Sequence, residues 1–209
     1  MQQAIKTIHL LLPYHLGSVN CYLIETDTGY ILIDTGGSNK RTDLERELAS
    51  AGCKPGNLKL IVITHGDFDH TGNARYLREK YGTKIAIHPD DAGMLERGDM
   101  FWNRKKGNML IRLLAPLLFG FTKSNRSQPD LSIEDGYDLS EYGFDAQVLS
   151  LPGHSKKITD NSTGAARFHT LVVCARRATT RIAPAVRFPM RDADCVAIER
   201  PELTNVMSV

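Results

Sequence analysis

Cysteine is scarce in this chain of 209 residues: the four present, Cys21, Cys53, Cys174 and Cys195, form no Cys-x-x-Cys pair. Neither a zinc knuckle nor a disulfide framework is indicated. The formal net charge is only +2, and no basic stripe interleaved with aromatics runs along the chain, so nucleic acid is not an expected partner. Long apolar runs are missing too. Leu10-Leu11-Leu12 stops at Pro13, too soon for a signal-peptide core, and the leucine-rich stretch 109–121 is interrupted by Arg112 and Pro116, too broken to span a membrane. A cytoplasmic location without a membrane partner is therefore expected. Lysine is absent from residues 158–209, which hold seven arginines, whereas residues 1–157 carry eleven lysines and eight arginines.

What the chain does contain is concentrated in one place. Leu58, Leu60, Ile61, Val62 and Ile63 read as a buried strand, short and β-rich. The run Thr64-His65-Gly66-Asp67-Phe68-Asp69-His70 follows at once, putting four potential metal ligands into six residues. Loops leaving the carboxyl ends of strands are where α/β proteins place their chemistry. Two carboxylates this close repel one another in a dry site unless a cation neutralises them. A single His-Asp pair reads as helix capping, but the full His-x-Asp-x-Asp-His reads as a metal site. Its mixed nitrogen and oxygen donors suit zinc, iron or manganese.

The surrounding pattern predicts a layered α/β fold in one domain large enough for a substantial core. Leu44, Leu48 and Ala51 repeat at helical spacing, with Arg41 and Glu45 able to pair on the wet face and Gly52 placed to end the helix. A second helix is expected from Thr71 to Tyr81, stopped at Gly82, before a strand at Lys84-Ile85-Ala86-Ile87-His88. Strand and helix alternate as in βαβ units. His88 precedes Pro89-Asp90-Asp91 and reads as stabilising a helix start. His9 and His15 have no partners in spacing.

Three segments carry a family resemblance. The metal run resembles the His-x-His-x-Asp-His signature of the metallo-β-lactamase superfamily. Val19-Asn20-Cys21-Tyr22-Leu23-Ile24 with Tyr30-Ile31-Leu32-Ile33-Asp34-Thr35-Gly36 is similar to its opening hairpin and Asp-Thr-Gly turn, and Leu151-Pro152-Gly153-His154-Ser155 to its Pro-Gly-His segment. The resemblance implies an αββα sandwich over residues 1–157 with metals at one edge of the paired sheets. It places His65, Asp67 and His154 around a first ion, Asp69 and His70 around a second, and Asp34 as a support for the metal loop. Asp67 stands where most members have a histidine.

The implied activity is that of a metal-dependent hydrolase, similar to hydroxyacylglutathione hydrolases and lactonases. Metal-activated water would attack an ester, thioester, lactone or amide of a small-molecule substrate, with Asp69 in the catalytic role. The apolar segment 109–121 would then cover the cleft, join two copies into a homodimer, or simply pack.

After Pro-Gly-His the resemblance ends. The family's Gly-Asp, which supplies a bridging aspartate, and its later Gly-His have no counterpart, and no glycine follows Gly164. Residues 158–209 read as an atypical C-terminal segment, incomplete or irregular: disordered, divergent, or out of frame after a shift near Ser155-Lys156-Lys157. The alternative function is thus a catalytically impaired metal-binding or interaction protein.

Overall fold

The strand at the centre of the chain is apolar on both of its faces, and both faces are covered, as befits a parallel strand between two layers. The computed structural model describes residues 4–12, 17–99, 102, 125–152, 169–175, 187–190 and 193–196. One sheet runs in the order β1 (Ile5–Leu11), β2 (Ser18–Thr26), β3 (Gly29–Ile33), β4 (Leu58–Ile63), β5 (Lys84–Ile87), β6 (Leu131–Ser132). β1 to β3 are antiparallel, and β3 to β6 are parallel. A second, antiparallel sheet has the order β7 (Ala146–Pro152), β8 (His169–Ala175), β10 (Ala193–Val196), β9 (Arg187–Met190).

Side chains alternate across the first sheet with the period of two that a pleated strand imposes. Leu23, Leu32, Ile61, Ile63, Ile85 and Ile87 pack with Leu44 and Leu48 of α1 (Arg41–Ser50), Leu77 of α3 (Ala74–Tyr81) and Leu95 of α4 (Pro89–Arg97). Ile24, Ile31, Ile33, Leu60, Val62 and Ala86 face the other way, onto Ala146, Val148 and Val173 of the second sheet. The described residues thus supply helix, sheet and sheet layers of the αββα sandwich. The expected βαβ crossovers are present, with α1 joining β3 to β4 and α3 joining β4 to β5. Three of the strands, β8 to β10, fall within residues 158–209.

Two local expectations change. The helix expected from Thr71 is split into α2 (Phe68–Thr71) and α3, which starts at Ala74. At the interruption the Asn73 backbone N–H donates to Thr35 Oγ1 at 3.2 Å, and its side-chain Nδ2 donates to the Thr35 and Gly37 carbonyls at 2.8 and 2.9 Å. Gly72 meanwhile lies against the backbone of 36–38, where a Cβ would stand 2.8 Å from the Gly36 oxygen. Arg41 and Glu45 do not bond one another but both reach α3. The Arg41 guanidinium lies 4.1 Å from the centre of the Tyr76 ring, and Glu45 accepts from Lys80 and from the Tyr76 hydroxyl. His88 caps α4 as expected, accepting the Asp90 N–H at 3.2 Å. The apolar stretch 109–121, His15 and His154 lie outside the described residues.

Candidate metal centre

Parallel pairing of β3 with β4 sets Ile33 beside Val62, so the two chains leave the sheet side by side. Asp34 leaves β3 in the left-handed region, at φ 59°, which Asp tolerates better than most residues. That turn drives a buried carboxylate under the loop that leaves β4. Oδ1 accepts the Thr64 backbone N–H at 2.8 Å, and Oδ2 accepts the Thr64 hydroxyl and His70 Nδ1–H, each at 2.7 Å.

The Thr64 hydroxyl also lies 3.0 Å from His65 Nδ1. A hydroxyl has one proton, and here it goes to Asp34, so toward His65 the oxygen accepts. Both imidazoles therefore carry hydrogen on Nδ1 and, when neutral, a lone pair on Nε2. His70 Nε2 is 3.8 Å from Asp69 Oδ2, and His65 Nε2 is 3.6 Å from Asp67 Oδ2. The two rings lie 3.9 Å apart, tilted by 47°. Two imidazole–carboxylate pairs thus stand next to each other above one buried acid. Asp67 occupies the N-cap position of α2 without a side-chain capping bond, and the Thr71 N–H and hydroxyl return to the Asp67 carbonyl, which fixes where the 67–71 segment turns.

Charge accumulates accordingly. Burial pushes the His70 proton off, but Asp34 and then Asp69 and Asp67 hold it on, raising its pKa to about 9. Burial also opposes ionisation of Asp34, yet His70, His65 and the Thr64 N–H together keep its carboxyl below the usual range. An ion entering at neutral pH must displace the His70 proton. The stability owed to that proton is complete below about pH 6.5 and disappears as pH rises through about 9. Ion-free protein is therefore expected to melt at lower temperature across that interval, while its affinity for zinc rises. Melting of chelator-treated protein, with zinc titrations at both ends, checks this; equal affinity at the two pH values contradicts it.

Among the described residues, no three His, Cys, Asp or Glu side chains converge into a complete metal cage. The sequence-predicted residues His65, Asp67, Asp69 and His70 are nevertheless brought together, with Asp34 beneath them. β7 ends at Pro152, just before His154. Thr64 belongs to the network as well, although the sequence reading gave it no role.

A family model described as the metallo-beta-lactamase superfamily matches residues 15–156. The chain belongs to that superfamily. Hydroxyacylglutathione hydrolase GloC of Haemophilus influenzae is 27% identical over 149 residues, covering 69% of this chain and 61% of its own length. Metallo-beta-lactamase domain-containing protein 1 of Rattus norvegicus is 43% identical over 67 residues, 32% of this chain and 27% of the relative. Among solved structures, BJP-1, a subclass B3 metallo-beta-lactamase of Bradyrhizobium japonicum, superposes with a TM-score of 0.58 at 21% identity. That match covers 85% of this chain and 56% of BJP-1 and shows the common fold. The chain spans between about a quarter and three fifths of the length of these curated relatives. Among the described residues no helix is long and apolar enough to cross a membrane.

Proposed function

We propose that this chain is a metal-dependent hydrolase acting on an ester, thioester, lactone or amide of a small molecule. The observation that carries the reading is the Asp34 hub, which commits Nδ1 of both His65 and His70 and leaves each Nε2 facing a carboxylate. Carboxylate-oriented histidines are what a metal site needs, because the inner hydrogen bond fixes the ring and raises its basicity. The donor set fits zinc, with iron or manganese also accommodated by the acidic Asp67. His65, Asp67 and His154 would hold one ion, and Asp69 and His70 a second.

A divalent ion bound there supplies Lewis-acid polarisation of the carbonyl and brings the pKa of a water toward neutrality. Asp69 accepts a hydrogen bond from the attacking water and takes its proton. Asp34 stays ionised and holds the two imidazoles in place while charge moves above it. The relationship to hydroxyacylglutathione hydrolase GloC favours a thioester within this range.

A second reading rests on the sequence after Gly153, which lacks the Gly-Asp and Gly-His expected to complete a two-ion site. Here the chain is an impaired metal-binding or interaction protein whose last fifty or so residues come from a shifted frame. Metal analysis of purified protein, with a screen over thioester, lactone, phosphoester and β-lactam substrates, separates the two. Two ions per chain and turnover support the hydrolase; one ion or none, without turnover, supports the impaired protein. Sequencing the gene around codons 153–160 decides the frame.

A further inference from the structure

We propose that Met94 of α4 is a positioning residue for the metal loop, bearing on Gly66 and thereby fixing how His65 and Asp67 stand toward each other. This rests on reading that loop as the ion site. Gly66 lies between those two residues and is buried. It is not among the left-handed glycines, so a positive φ is not what calls for glycine there. What excludes a side chain is α4. A Cβ at position 66 would stand 2.6 Å from Met94 Sδ, 2.7 Å from its Cβ and 3.0 Å from its Cγ. The first and last of these belong to a flexible chain, but the Met94 Cβ moves only with the helix.

Met94 has little room to withdraw, since it is only 1% exposed. The helix is held from outside as well. Trp102 lies so close over Gly93 that a Cβ there would collide with its indole nitrogen. The Arg97 guanidinium sits 3.6 Å from the centre of the Trp102 ring. At its start, α4 is fixed by the His88 cap. Pressure on Met94 is thus passed to the loop, because close-packed interiors transmit strain instead of absorbing it. An unbranched thioether suits this place, filling a narrow gap against bare backbone.

The test uses the full chain and zinc alone. Zinc affinity, by competition with a chromogenic chelator, and melting of the chelator-treated protein are measured for wild type, Gly66→Ala, Met94→Gly and the double variant. Gly66→Ala is expected to weaken zinc binding roughly tenfold or more, the scale of lost support behind a ligand. Adding Met94→Gly removes all three obstructing atoms and is expected to lift the zinc affinity of Gly66→Ala to that of Met94→Gly alone, which has lost the support of Met94 and binds more weakly than wild type. Wild-type affinity in Gly66→Ala, or a double variant no better than Gly66→Ala alone, overturns the proposal. Where Gly66→Ala does not fold, the same suppression is read as the return of cooperative melting in the double variant, and its failure to return is equally decisive against it. Wild-type protein that takes up no zinc defeats the ion-site reading instead. The melting cycle on chelated protein still decides whether positions 66 and 94 are coupled.

Discussion

Asp34→Asn protein is expected to lose zinc at both positions together. Three donors converge on the Asp34 carboxylate: the Thr64 N–H, the Thr64 hydroxyl and His70 Nδ1–H. Asparagine offers one accepting oxygen and turns an NH2 toward the rest. Whichever way it sits, a donor meets a donor. The Thr64 backbone N–H cannot turn, so it keeps the oxygen, and His70 then loses its acceptor directly. His65 loses it indirectly, because a Thr64 hydroxyl released from Asp34 is free to redirect its proton at Nδ1. Losing the partner that orients a metal-binding histidine costs about 10–100-fold in metal affinity. With two ligands affected, a loss on the order of 100-fold or more is expected.

Thr64→Val supplies the contrast. It removes the acceptor of His65 and leaves the 2.7 Å bond from His70 to Asp34 in place. Only one position should weaken, by roughly tenfold. Zinc stoichiometry and competition titrations separate the variants. Asp34→Asn protein that retains two ions at wild-type affinity, or Thr64→Val protein as weak as Asp34→Asn, contradicts the shared hub.

Much of this was legible in the chain itself, for definite reasons. β4 announces itself because both faces of the strand are buried, so Leu60, Ile61, Val62 and Ile63 follow one another without polar interruption. That His65, Asp67, Asp69 and His70 come together is legible because they share one short loop at the end of β4. Asp34 could be expected beneath it only through the resemblance. The role of Thr64 escaped notice, although an imidazole at a strand end needs an acceptor for Nδ1 and the preceding hydroxyl is the nearest one in sequence. The start of α3 also escaped. Helical periodicity cannot show that Asn73 spends its amide on the carbonyls of Thr35 and Gly37, which are distant in sequence. The pairing of Arg41 with Glu45 was plausible for an isolated helix, where i,i+4 contacts are the only ones on offer. In the folded chain α3 provides Tyr76 and Lys80, and the pair separates toward them. Gly66 is one of the unassigned positions of His-x-Asp-x-Asp-His. Its steric meaning emerges only when α4, nearly thirty residues later, is laid against it.

Asp69→Asn is expected to abolish hydrolysis while leaving the fold intact. Asp69 stands in the first turn of α2, partly exposed, with Oδ2 3.8 Å from His70 Nε2. Its pairing with His70 is on the Nε2 side of the ring, away from the Asp34 bond at Nδ1, so an isosteric amide leaves that bond in place. What changes is proton affinity, because an amide orients a water but cannot take its proton. General base catalysis contributes about 10²–10⁴-fold, and a fall of that size in kcat on a model thioester or lactone is expected, with KM nearly unchanged. Zinc content tells which of two duties Asp69 performs. If the variant keeps the wild-type number of ions, Asp69 acts on the water; if one ion is lost with activity, it holds that ion. The variant also removes a negative charge that helps keep the His70 proton in place, so that proton should leave at lower pH. A downward shift of the His70 titration with full catalytic loss ties both effects to one carboxylate. Wild-type turnover in Asp69→Asn protein removes it from the mechanism.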